Sequence, residues 1–429
     1  MSRAIVEEQR RPPLGARLLP RRIHYGWWIA IGSLVLLFVT VGVGYYGLAV
    51  FLRPLQEEHD WSNGVVSGAT GLYFTVSGLT GAIIGPHIDR HGPLRLMTVG
   101  TILLGSSVAA VGFVNAVWQL YAVYLVMAVG FGLAASVGVN AMLARWFIHK
   151  RARAMSISFT GVSLGGVVLA PLGTALVDSG GLSLATVVMG VLVIVVALPV
   201  VRWLLVWDPA EIGLEPDAGA PPPPVSRAAL GDAVQRREWT RVEAMRTTAF
   251  WALLAGFVLV LLAQTGFLLH QISFLEDRLG SRQAASFALS FTALGSILAR
   301  LAVGTVADRL DKRWLTVALF AIQATAILVV VRTDNTVLTY GLVLVVGFTI
   351  GNIYMMQTLL TSEIYGVVSL GTILGLVLLT SQLGSGIGPA LVGVLEDRTG
   401  SYTVPFTITA LLTYLGAACI VFARPPTAG

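Results

Sequence analysis

The chain has 429 residues, of which 55% are hydrophobic and only 12% charged, and its mean hydropathy is +0.80. A water-soluble fold of this composition would expose more apolar surface than it could bury, so lipid has to be the solvent and the expected fold class is an all-α membrane protein. The formal charge of +6 sits largely in basic arms suited to anionic headgroups, and no nucleic-acid partner is inferred from it.

In chain order, the first 24 residues carry six arginines but no short apolar core or cleavage site, so the run that follows is read as a retained first span. Apolar runs of roughly 20 residues or more, long enough to cross a bilayer at 1.5 Å per residue, then occur twelve times. They fall at about 26–52, 63–88, 95–114, 118–145, 153–178, 182–206, 250–275, 284–307, 314–332, 336–361, 368–395 and 402–423. The one long polar stretch, 207–248, contains Pro221 to Pro224 and the basic residues Arg236, Arg237, Arg241 and Arg246, and it reads as a linker. The expected organisation is a six-helix bundle over 1–206 with a basic tail, a linker over 207–248, and a second six-helix bundle over 249–429. The 47 glycines suit close helix packing in lipid, and the single Cys419 excludes an internal disulfide.

One pattern is written twice. Gly85-Pro86-His87-Ile88-Asp89-Arg90-His91-Gly92 follows the second span, and Gly304-Thr305-Val306-Ala307-Asp308-Arg309 follows the eighth, 219 residues later. Such a recurrence at about half the chain length marks a duplicated bundle. The tail, Arg90 and Arg95, Lys150 to Arg153, the linker, and Arg309 to Arg313 all fall on one side if every span crosses once. The opposite loops, such as Glu57 to Asp60 and Glu276 to Arg278, are acidic or mixed, so the basic side and both termini are expected in the cytoplasm, in an inner-membrane protein.

Arg300 stands out among the side chains. It lies eight residues before Asp308, about 12 Å inside the membrane by helical rise, where an ionised group costs at least ~2.5–3.5 kcal/mol and has to face a cavity. Every Asp or Glu near a span, including Asp178, Glu276, Asp334, Glu363 and Asp397, falls at a span end. Two partners stay open for Arg300: an external carboxylate, which a guanidinium fork matches bidentately, or backbone carbonyls of a neighbouring helix. A polar set that can line a cavity or tie helices together comprises Tyr45, Tyr46, Asn140, Gln264, Asn352, Tyr354, Gln357, Ser381 and Gln382. His270 is a proton-relay candidate near the outer mouth, with a water-bonded histidine as the plainer reading. No nucleotide-binding loop or metal-ligand spacing occurs, so neither an enzyme nor a cofactor is expected, and any driving force comes from gradients.

Twelve spans in two halves, with Gly-x-x-x-Asp-Arg-x-Gly after the second and a degenerate copy after the eighth, resemble the major facilitator superfamily. Three segments are similar to its monocarboxylate transporter and oxalate/formate antiporter branch: Tyr25-Gly26-Trp27-Trp28, the stretch from Trp146 through Lys150, Arg151 and Arg153 to Gly161, Gly165 and Pro171, and Ala299-Arg300-Leu301. The resemblance implies two pseudo-symmetric bundles working by alternating access, with Arg300 binding substrate and Tyr354 and Asn140 on pore-facing helices. It also implies gating by Asp89, Arg90, Asp308 and Arg309. The chain departs from the family at Arg153, which replaces a leucine. It also carries Ser296 and Tyr46 where vertebrate-type members have an Asp and a Lys, which removes their form of proton coupling. The expected function is a monomeric, proton-linked secondary transporter of small monocarboxylates such as lactate or pyruvate. An oxalate/formate-like exchanger and a non-transporting sensor on the same fold are the alternatives.

Overall fold

A computed structural model describes residues 23–147, 150–216, 241–306, 310–365 and 370–424. Six helices precede the linker. They are α1 (Gly26–His59), α2 (Asn63–His91), α3 (Leu94–Val111), α4 (Val117–Trp146), and α5 and α6, which form one continuous run, Arg151–Pro199, broken at Gly181. The break is a backbone feature: Gly181 has φ 77° and ψ −179°, a combination open to glycine, so the chain reverses with almost no loop. Six more follow: α7 (Thr248–Leu279), α8 (Arg282–Val306), α9 (Lys312–Val330), α10 (Thr336–Tyr365), α11 (Leu370–Thr399) and α12 (Thr403–Val421).

Among the described residues nine stretches are both long and apolar enough to cross a membrane, and the 52-residue one, Arg153–Leu204, holds both α5 and α6. The two helices outside that set are α2 and α8. In α8 the reason is visible: Phe287, Phe291, Leu294 and Leu298 form an exposed stripe at helical spacing, while Ser286, Ser290, Ala293 and Ser296 are buried on the other side. The large apolar side chains are concentrated where the helix meets lipid, and its buried side is mostly serine and alanine with Leu289.

Helix packing repeats the duplication. The pairs α1–α5, α2–α4, α3–α4 and α3–α6 reappear as α7–α11, α8–α10, α9–α10 and α9–α12. The halves meet through α2–α11 and α5–α8, pairs that interchange under the same correspondence, and through the second part of α1, Gly47–His59, on α7. Glycines set these distances. A Cβ on Gly161 would overlap the Leu34 carbonyl oxygen and one on Gly388 the Leu262 carbonyl, one contact in each α1–α5-type pair. Gly132 packs on the Ser77 carbonyl as Gly351 packs on that of Ser296, and both members of each pair are 219 residues apart. Backbones this close gain dispersion contacts that larger residues would block.

Gly92, in the first copy of the repeated pattern, ends α2 with φ 76° and lies against the Trp207 ring. Trp207 in turn receives the Arg145 guanidinium at 4.3 Å from its centroid, and Arg145 pairs with Asp208 at 2.7 Å. The pattern's glycine is thus needed both for its conformation and for this contact.

Gly161→Ala should lower the thermal unfolding midpoint of the detergent-solubilised protein, because α1 and α5 must separate or distort at a cost of about 1–3 kcal/mol. Gly85→Ala, where nothing lies within 4 Å of the added carbon, should leave the midpoint unchanged.

Candidate substrate site between the halves

Helix α1 is irregular where it passes the centre. Residues Gly42–Tyr46 form a π-turn, a wider turn that tends to occur at functional positions. It brings both Tyr45 and Tyr46 to the interior. The Tyr45 ring packs on Phe74 of α2, at 5.3 Å between centroids, and Tyr46 and Ala293 of α8 both lie against Gly166 of α5. A hollow about the size of a water molecule is lined by Tyr45, Tyr46, Ala49, Phe74, Thr265, Leu268 and Leu269.

Arg300 is half-buried on α8, and Tyr46 is among its electrostatic neighbours. Its Nη1 donates to the Phe159 carbonyl oxygen at 2.9 Å and to Ser163 Oγ at 3.2 Å, both on α5 of the other half. Among the described residues no carboxylate pairs with it. Tyr354 of α10 is 43% exposed yet is an electrostatic neighbour of Tyr45 and Ser385, so its exposure is to the space between the halves. Asn140 of α4 is half-buried and has no side-chain partner among the described residues.

Two expected lining residues are placed elsewhere. Gln357 is fully buried and gives Nε2 to Ser381 Oγ at 2.6 Å, tying α10 to α11. Asn352, also fully buried, donates to the Phe348 carbonyl of its own helix at 3.1 Å. Asn352 lies two residues from Tyr354 and so on nearly the opposite side of α10, whereas Gln357, three residues on, shares the Tyr354 side but is covered by α11.

His270 also departs from expectation. It is completely buried in a polar cluster at the junction of α2, α7, α11 and α12, and not at a watery mouth. Nε2 lies 3.1 Å from the Pro389 carbonyl and 3.2 Å from Ser67 Oγ, and Nδ1 lies 3.4 Å from the Tyr402 hydroxyl. Because a carbonyl only accepts, Nε2 carries the proton and Nδ1 accepts from Tyr402, an assignment made from the hydrogen-bond network. Both nitrogens of a neutral imidazole are then used.

That cluster belongs to a seal that no local sequence pattern announces. At the end of the bundle where α1 joins α2 and α7 joins α8, Arg53 Nη1 pairs with Asp277 at 2.7 Å, and Arg282 bridges Glu57 at 2.8 Å and Glu276 at 3.2 Å. Beside it, Asp397 of α11 accepts from the first two backbone N–H groups of α2, Asn63 at 2.7 Å and Gly64 at 2.6 Å. A carboxylate of one half thereby caps a helix of the other, meeting orphan donors and the positive end of its dipole. Asn63 adds bonds to Glu396 at 2.9 Å and to the Tyr402 hydroxyl at 2.8 Å. Only Arg53 and Glu57, at i and i+4, were pairable from local spacing. Of the expected gating residues, the backbone of Asp89 and Arg90 lies in α2, while their side chains and Asp308 and Arg309 lie outside the described residues.

The architecture defines a multi-pass helical membrane protein with a polar site between two repeated halves. The sequence model of the Major Facilitator Superfamily matches residues 33–389 and again 272–429, and the chain belongs to that family. Its curated relatives include monocarboxylate transporter 13 of Rattus norvegicus, 23% identical over 92% of this chain and 88% of that protein. They also include the oxalate:formate antiporter of Oxalobacter formigenes, 22% identical over 93% and 91%. Among solved structures, a bacterial homolog of the human lysosomal transporter Spinster, in an inward-facing and unoccupied conformation, superposes with a TM-score of 0.67 at 18% identity, covering 94% of this chain and 95% of its own. That likeness is one of fold.

Asp397→Ala removes the inter-half cap, a contact of about 1 kcal/mol, and should shift the balance toward separation of this end by roughly fivefold. Distance distributions between spin labels on the α1–α2 and α7–α8 loops measure it; an unchanged distribution would show that the cap does not hold the seal.

Proposed function

We propose that this protein is a proton-linked secondary transporter of small monocarboxylates, lactate- or pyruvate-like, working by alternating access between the halves 1–206 and 249–429 joined by the linker 207–248. The observation that carries the reading is Arg300: a guanidinium on an interior helix face with no carboxylate partner among the described residues, beside the hydroxyl-bearing ring of Tyr46. An ionised group so placed is matched by an anion from outside the chain. Relatives named as monocarboxylate transporters support the substrate class.

Tyr46, Tyr354 and Asn140 would complete the site, Gln357 would hold α10 to α11, and Asn352 would support α10 from within. Asp89, Arg90, Asp308 and Arg309 would gate the end opposite the seal. The protein would work as a monomer in the cytoplasmic membrane of the cell, with both termini inside. Basic residues at the terminus end, including Arg95, Lys150, Arg153, Lys312 and Arg313, support that orientation. The sealed end would then face outward. Proton uptake by His270 requires the seal to loosen, since both imidazole nitrogens are engaged within it.

In proteoliposomes, acid-driven uptake of labelled lactate or pyruvate is expected, and Arg300→Gln should abolish it while leaving a folded protein. Lysine should restore little, because it keeps the charge and loses the fork. Uptake of oxalate only against internal formate would replace symport by exchange. A cysteine at Ala218 should resist impermeant reagents on intact cells; labelling from outside would invert the topology.

A further inference from the structure

Arg300 spends only one of its terminal nitrogens on the protein. Both printed contacts, to the Phe159 carbonyl and to Ser163 Oγ, come from Nη1, while Nε and Nη2 have no hydrogen-bond partner among the described residues and are not among the sealed polar atoms. Ser163 is itself fixed. It is fully buried, and its hydroxyl reaches Ser296 Oγ at 3.4 Å, one turn before Arg300 on α8. Ser296 is held in place by Gly351, whose missing side chain lets α10 close over it. The order runs from a glycine contact between α8 and α10, through two serines, to one corner of the guanidinium.

We propose that Ser163 is a positioning residue for carboxylate recognition: with the Phe159 carbonyl it pins Nη1, so that the Nε–Nη2 edge of Arg300 is presented to the substrate. This rests on the reading of Arg300 as the carboxylate site. A free arginine loses rotamer freedom when it binds, and one already held by a corner loses less. The Nε–Nη2 edge supplies two parallel N–H donors, the arrangement a carboxylate accepts bidentately, so the pinned corner and the binding edge do not compete. The pin comes from the opposite half, so the fork is oriented only while α5 and α8 are packed together. The device is also one-sided. By the offsets of the repeated backbone contacts, 219 for α2 to α8 (Ser77 to Ser296) and 223 for α5 to α11 (Gly161 on the Leu34 carbonyl, Gly384 on that of Val258), the counterparts of Arg300 and Ser163 are Gly81 and Gly386.

The test is substrate affinity in the full-length protein, with lactate, pyruvate, formate and oxalate as probes. Ser163→Ala should raise Kd for the bound probe roughly five- to tenfold, the loss of one hydrogen bond to a charged group, with the maximal transport rate within about twofold of wild type. Ser163→Thr, which keeps the hydroxyl, should recover most of the affinity. Should alanine impair folding, Ser163→Cys, close in size but a far weaker hydrogen-bonding group, should give the same rise. A wild-type Kd in the alanine or cysteine variant, or a fall in rate with Kd unchanged, would overturn the positioning role and leave the Arg300 reading intact provided Arg300→Gln still abolishes binding. Wild-type binding by Arg300→Gln, or no binding of any of the four probes by the wild-type protein, would remove the site assignment and this inference together.

Discussion

A guanidinium near the centre of a lipid-solvated bundle must be solvated by something, and much of the central architecture follows from that requirement. The helix that carries Arg300 keeps its lipid face apolar through Phe287, Phe291, Leu294 and Leu298, which leaves the charge on the interior side. There the nearest partners are a backbone carbonyl and a hydroxyl of α5, not a carboxylate. An internal salt bridge would have neutralised the arginine permanently. Neutral acceptors at one corner meet part of its hydrogen-bonding demand and leave its charge available.

The same economy of contact appears where the halves meet. Along α2–α11 and α5–α8, close approach rests on glycines and small hydroxyl residues, such as Gly71 on the Gly386 carbonyl and Ser290 on the Val167 carbonyl. At the sealed end the links are ion pairs whose side chains keep partial exposure, and each such pair is worth little alone. Weak, separately breakable polar contacts suit an interface that has to open, although buried apolar residues of both halves also join in one cluster. Within each half the glycine-mediated crossings bring backbone against backbone at several helix pairs, as Gly161 on Leu34 and Gly132 on Ser77 do.

The sequence made the helices legible because lipid imposes apolar runs about twenty residues long, and it made the duplication legible because the Asp-Arg pattern survives in both copies. Arg300 was legible for the same reason: a charge in such a run is conspicuous. Orientation within a helix was not. A residue advances 100° per position, so Asn352, two positions from Tyr354, faces about 160° away from it, while Gln357, three positions on, shares its side and is hidden only because α11 covers it. The π-turn at Gly42–Tyr46 shifts that phase without any local marker. The seal was hidden for another reason, since Arg53 and Asp277 are 224 residues apart and Asn63 and Asp397 are 334 apart, and nothing local announces such pairs.

His270 shows how burial changes a residue's prospects. Read from the sequence it is a titratable group near water. In the structure its Nε2 proton goes to the Pro389 carbonyl, its Nδ1 lone pair takes the Tyr402 proton, and Tyr402 in turn accepts from Asn63, which also bonds Glu396. Adding a proton to Nδ1 would leave two donors facing each other unless the Tyr402 hydroxyl turned its proton elsewhere, so protonation would rearrange the cluster. Ser67 and Asn63 join that cluster to the Asp397 cap on α2, so such a rearrangement would reach the seal. Among the described residues no carboxyl group sits beside Arg300 to take up a proton with the anion, so a proton coupled to the anion would travel on the substrate itself or bind apart from it, at a group such as His270.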